Sequence, residues 1–163
     1  GTDPRDAART YLERSVRPGG TVAFATTPWY WSPPLLPEFT APVPGSVRRR
    51  MLLEARGPYE LRLPGPDREW DMDVLREPKP HCVIVSDLES QDAFRVRHPD
   101  ALAFQRELDR SYAPVVFGGR PRLFGWPVIT AQYVPVDVLY VTPTIRVYER
   151  RVALANPIGG LRP

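Results

Sequence analysis

Read from its amino terminus, the chain alternates stretches of helical periodicity with short runs that carry no charge. Asp3-Pro4 is a helix start, because aspartate accepts from first-turn amides and proline suits the first helical position. Ala8, Tyr11, Leu12, Ser15 and Val16 then share one face, which predicts a helix over residues 4–16, stopped by Pro18-Gly19-Gly20. Residues 21–26 (TVAFAT) carry no charge, the pattern of a strand covered on both faces, and residues 81–86 (HCVIVS) repeat it. Pro99 opens a second helix, predicted over 99–112 with Ala101, Phe104, Leu108 and Tyr112 on one face, and 113–117 (APVVF) returns as a strand. Strand, helix and strand within about 35 residues form a βαβ unit, and 144–148 (TIRVY) is a last strand.

Proline changes this picture between the regular segments. The chain has 21 prolines, so many φ angles are fixed, many backbone donors are missing, and long loops must join the elements. Residues 28–44 read as an irregular, aromatic excursion with one helical turn, and 70–75 as a short helix. Met51, Leu52 and Leu53 with residues 59–63 pattern as a hairpin around Gly57-Pro58. The expected fold is therefore α/β: a mainly parallel, twisted open sheet flanked by helices, Rossmann-like or flavodoxin-like, with long proline-rich loops. A single domain over 1–155 and a flexible tail over 156–163 are expected, since 163 residues suit one core.

Composition narrows the function more than it names it. Lys79 is the only lysine, so the net charge of +3 rests on arginines, which alternate with acids along the chain. Arg48, Arg49 and Arg50 are the one run of three; they read as a solvated strand end or loop, and no nucleic-acid partner is expected. Gly19-Gly20 precedes a strand, where a dinucleotide fingerprint needs its glycines after one, and no GxxxxGK[ST] or GxSxG occurs. Two histidines and one cysteine cannot make a Cys/His zinc site, so no metal and no cofactor are expected. Cys82, beside Val83, Ile84 and Val85, reads as a small apolar residue of a buried strand rather than a nucleophile. The uncharged stretch 123–136 is too short to span a bilayer, which takes about 20 apolar residues. The chain starts at Gly1 without an initiator methionine or signal peptide, and is expected to be a piece of a longer protein.

Candidate chemistry is sparse. The carboxylate pairs Asp71 with Asp73 and Glu89 with Asp92 read as surface acids, because sequence alone supplies no environment that would shift their pKa. Asp87 is the stronger candidate. It follows a buried strand, where open sheets place ligands, with a loop cap as its alternative. Trp29, Tyr30 and Trp31 are expected just beyond the first strand, with at least one ring accessible to stack on a sugar, meet lipid headgroups or dock on a membrane domain. No catalytic residue is assigned.

Several short segments, taken in order, resemble a known family. Asp3-Pro-Arg5, Arg17-Pro18-Gly19-Gly20 before the strand 21–25, an aromatic and proline segment, then Pro80-His81-Cys82-Val83-Ile84-Val85-Ser86 and Pro143-Thr-Ile-Arg-Val-Tyr148 are similar to the soluble C-terminal region of polytopic GT-C glycosyltransferases, the polyprenyl-phosphate-sugar transferases that include the protein mannosyltransferases. The similarity runs over residues 3–151 and departs at His81-Cys82, where that strand carries an acid and an aromatic. It implies a domain on the extracytoplasmic side of the membrane, tethered through transmembrane helices and facing the membrane-embedded part of the same polypeptide. The family's acidic catalytic residue lies in an early loop between membrane helices and has no counterpart here. The resemblance thus implies a non-catalytic accessory domain that positions an acceptor or covers the membrane-embedded site, with a glycan or polyprenyl-linked sugar as ligand. A free-standing α/β enzyme using Asp87 as acid or base, and a protein-interaction module, are the alternatives.

Overall fold

The structure, a computed structural model, describes residues 3–118 and 143–152, and the backbone of 122–123 and 126–127. In chain order the elements are α1 (Pro4–Ser15), β1 (Thr21–Phe24), a 3-10 turn (Pro37–Thr40), α2 (Gly45–Glu54), β2 (Glu60–Arg62), a second 3-10 turn (Met72–Leu75), β3 (Cys82–Ser86), α3 (Asp87–Arg95), α4 (Pro99–Ser111), β4 (Tyr112–Phe117), the paired short strands β5 (Arg122–Leu123) and β6 (Trp126–Pro127), and β7 (Ile145–Arg150). The predicted tail, 156–163, lies outside the described residues. Asp3 caps α1 as its sequence requires: Oδ1 accepts from the Arg5 amide at 2.8 Å, and Pro4 opens the helix.

The main sheet has the order β2-β1-β3-β7-β4. β1 pairs in parallel with β2 and β3, Val22 lying beside both Leu61 and Cys82. β7 runs antiparallel to β3 and to β4, with Val83 opposite Tyr148 and Val115 opposite Val147. The expectation of a mainly parallel sheet is thus corrected: the sheet is mixed, and its two longest ladders are antiparallel. The reason is topological. The chain leaves β4 at Phe117 and re-enters beside it at Ile145, so β7 slots between β3 and β4 in the reverse sense.

Alternation along the central strands builds two cores, one on each face. Val22, Phe24, Cys82 and Ile84 face α1 and α2, where Ala8, Leu12, Phe39 and Leu52 close over them. Ala23, Ala25, Val83 and Val85 face the other way, against Trp70, Phe104, Leu108 and Tyr112. Cys82 is 2 % exposed, and burial pushes its thiol up to about 12, so it is an apolar core residue in the thiol form.

Two local expectations fail. Met51, Leu52 and Leu53 lie in α2 and not in a strand, and β2 pairs with β1 instead of forming a hairpin with them. Residues after Ser86 do not form a loop: Asp87 begins α3, whose Ser86 amide donates to Glu89 Oε1 at 2.7 Å, half of a capping box.

Candidate binding cleft

The carboxyl ends of β1, β2 and β3 all point to one edge of the sheet, and the chain departs in opposite directions from β1 and from β3. That divergence opens a crevice, the place where open α/β sheets bind ligands. A cleft of about 870 Å³ occupies it. Thr26 and Thr27, just past β1, form its floor, with Trp29 and Trp31 on one side and the first turn of α2 beside them. The loop 66–69 closes the opposite side, and His98 and Asp100 at the start of α4 complete the rim.

Both loops of the cleft are fastened. Arg5 Nη1 donates to the Tyr30 carbonyl at 2.9 Å, and Arg48 Nε donates to the Pro28 carbonyl at 2.9 Å, which hold the aromatic loop from two helices. The Trp70 amide donates to the Ala25 carbonyl at 2.7 Å and brings the 66–69 loop to the end of β1. Asp71 closes that loop from within, accepting from the Gly65 amide at 3.0 Å and from the Asp73 amide at 3.1 Å, with Arg68 Nη2 3.3 Å away. Asp67 and Trp70 have φ of 53° and 57°, and Arg97, next to His98, has 54°. Left-handed conformations at three side-chain-bearing residues around one cleft are costly and persist only where the surrounding structure fixes them.

Trp29, Tyr30 and Trp31 lie beyond β1, where the sequence places them, and all three are half-buried. They pack on one another, Trp29 with its ring centroid 4.9 Å from Tyr30 and 5.5 Å, edge-on, from Trp31. The Trp29 indole nitrogen is buried and has no hydrogen-bond acceptor among the described residues, whereas the Trp31 indole meets the Glu89 carboxyl and favours its charged form. Asp87 is not in this cleft. It lines a separate recess of about 360 Å³ with Gln105, Arg146 and Tyr148. Its amide donates to the Thr144 carbonyl at 3.0 Å and its Oδ1 accepts from the Thr144 amide at 2.9 Å. This two-way bracket joins the start of α3 to the approach of β7. Burial raises the Asp87 pKa, opposed by the Thr144 bonds and the Arg146 charge. Asp87→Ala should cost about 1–3 kcal/mol by orphaning the Thr144 amide, while Asp87→Asn keeps an acceptor and should lie near wild type. Urea unfolding reads the difference, and an alanine variant as stable as the parent would refute the bracket.

Two residues matter more than their sequence signal suggested. Arg48 belongs to the first turn of α2 and is 4 % exposed, so it is neither a strand end nor solvated. Its guanidinium lies 4.6 Å from the centre of the Trp29 ring, and burial lowers its pKa. Glu89, read as a surface acid, accepts from the Thr26 hydroxyl behind the cleft floor. It is packed about by protein, though part of its surface reaches solvent. Burial pushes its carboxyl up to about 7, against the Thr26 and Ser86 hydrogen bonds and with help from the Glu69 charge. A signal for it was present in Ser86-Asp-Leu-Glu89, the S-x-x-E spacing of a capping box. Nothing comparable marks Arg48, whose burial follows from standing one turn before Leu52 on the inner face of α2.

Among the described residues no cluster of three or more His, Cys, Asp or Glu could hold a metal ion, and no helix is long and apolar enough to cross a membrane. Compared with protein-family models, curated proteins and solved structures, the chain matches none of them.

Proposed function

We propose that this domain is a non-catalytic binding module of a membrane glycosyltransferase, holding a sugar of acceptor or donor on the extracytoplasmic side, over the membrane-embedded part of the same polypeptide. The observation that carries the binding role is the tryptophan pair. Trp29 and Trp31 line a fastened cleft at the divergence of the parallel strands, their half-buried rings packed edge-on against one another. A sugar ring offers an apolar face on which the indole rings can stack. The membrane setting rests on the resemblance over residues 3–151 alone. Hydrophobic spans encoded upstream of Gly1 in the same reading frame are its expected companion, and their absence would end that part of the proposal.

A test of the binding role is Trp31→Ala in the full-length protein. Normal folding with transfer reduced about tenfold or more is expected, the worth of one stacked ring. Reduced stability with unchanged transfer per folded molecule would make the rings mere packing.

One observation favours a second reading, a free-standing enzyme acting on a small molecule. Glu89, not Asp87, is its candidate acid or base, because its carboxyl titrates near neutrality behind the cleft floor. Turnover that vanishes in Glu89→Gln would replace the binding-module reading with this one.

A further inference from the structure

The α2 wall of the cleft combines two features that call for an anion. The helix begins at Gly45 and Ser46, both lining the cleft, with Pro44 at the cap position, no side-chain cap and no acid in its first turn. First-turn amides have no acceptor within the helix, and the macrodipole adds partial positive charge there. The second feature is Arg48. Nε and Nη1 donate to the Pro28 and Val43 carbonyls at 2.9 and 3.0 Å, and no carboxylate of the described residues forms an ion pair with it. Nη2 makes no hydrogen bond among the described residues and stands over the helix start, 3.8 Å from where a Cβ on Gly45 would lie. Arg62 is also buried and bonded to carbonyls, but it is not among the residues that line this cleft. A buried cation is costly unless paired, and here the unpaired edge faces an open site.

Building on the reading of the cleft as a binding site, we propose that Arg48 and the first turn of α2 bind a phosphate ester whose attached ring lies against Trp29 and Trp31. Phosphate fits better than carboxylate because it has oxygens enough to meet a guanidinium and helix amides together. The ester is borne either by a soluble sugar phosphate or by a lipid-linked one, and both present the same group.

Gly45→Asp is the decisive variant. Among the described residues a Cβ at Gly45 meets only Arg48 Nη2, at ordinary contact distance, so the new carboxylate has room to pair with Arg48 and adds a favourable negative charge to the first turn of α2. Thermal unfolding and tryptophan fluorescence are followed for parent and variant during titration with inorganic phosphate, glucose 1-phosphate and methyl glucoside at constant ionic strength. For the parent, a saturable rise in Tm with inorganic phosphate is expected, and binding of glucose 1-phosphate about tenfold tighter through its ring. Gly45→Asp should melt a few degrees higher without ligand and lose the phosphate response. Absence of a saturable phosphate response in the parent, or its survival in Gly45→Asp, overturns the proposal. Vesicles carrying a long-chain isoprenyl phosphate separate the sources: tighter binding to them than to glucose 1-phosphate assigns a lipid-borne ester, and the reverse order a soluble one. Methyl glucoside that binds where phosphate does not would sink the anion site and spare the sugar-binding reading. Phosphate binding by a chain without upstream membrane spans would uphold the anion site and end the membrane setting alone.

Discussion

Trp70→Ala should destabilise the domain by about 3–5 kcal/mol, a large part of the 5–15 kcal/mol that holds a typical domain folded. Trp70 is 2 % exposed and sits edge-on to Phe104, with ring centroids 5.7 Å apart, while Phe94 stands 5.8 Å away on another side. These three rings join α3, α4 and the segment after β2 into the core on one face of the sheet. Removing the indole leaves a cavity among fixed neighbours, so the lost contacts add to the lost burial. In urea the unfolding midpoint should fall while the slope stays the same, the mark of lost stability without a change in the exposed surface. Trp70→Phe keeps a ring between Phe94 and Phe104 and should lose less. An alanine variant within about 1 kcal/mol of the parent would show that the site collapses to fill the space, and would remove Trp70 from the core.

The same residue shows how core and cleft are coupled. Its backbone amide ties the 66–69 loop to the end of β1, and its left-handed φ aims the chain back toward the core. Neither property was legible in the sequence, where Trp70 opens a predicted short helix and the segment before it carries no periodicity. What was legible were the elements whose burial is uniform. Residues 21–26 and 81–86 have no charge and became β1 and β3, and the caps at Asp3-Pro4 and Pro99 set the starts of α1 and α4. Strand direction was not legible, because Ile145 and Val147 bury the same face whichever way β7 runs. Direction is set by the connection from Phe117 to Ile145, which periodicity does not encode. The arginine triplet misled for a related reason: charge suggests solvent, but a helix turns its residues by about 100° each, so Arg48 faces inward while Arg50 is exposed. The aromatic loop was easier, since three adjacent rings after a strand end have few places to go. Asp87 and Glu89 exchanged their expected significance once the segment became a helix, with Asp87 bracketing Thr144 and Glu89 turned back behind the cleft floor.

Glu89→Gln should change how stability depends on pH. Burial raises the Glu89 carboxyl from its ordinary 4.5 to about 7 in the folded chain. Between those values the folded state holds a proton that the unfolded state has released, so raising the pH weakens the fold. The contribution is fully present below about 4.5 and is lost as pH rises through 7, with a total on the order of 3 kcal/mol. Glutamine keeps an oxygen for the Ser86 amide, and its NH2 can donate to Thr26 Oγ1 if the hydroxyl turns away, so the geometry survives without the ionisation. The variant should therefore be more stable than the parent at pH 8, and that advantage should shrink steadily toward pH 4. Asp87 also has a raised pKa, but it is present in both proteins and cancels in the difference. Chemical denaturation at several pH values reads the effect directly, and parallel curves for the two proteins would place an ordinary carboxylate at Glu89. Ligand binding by the same variant then separates the two functional readings. A module that holds its ligand through Trp29, Trp31 and Arg48 keeps its affinity in Glu89→Gln, whereas an enzyme that moves a proton through this carboxyl keeps its ligand and loses its turnover.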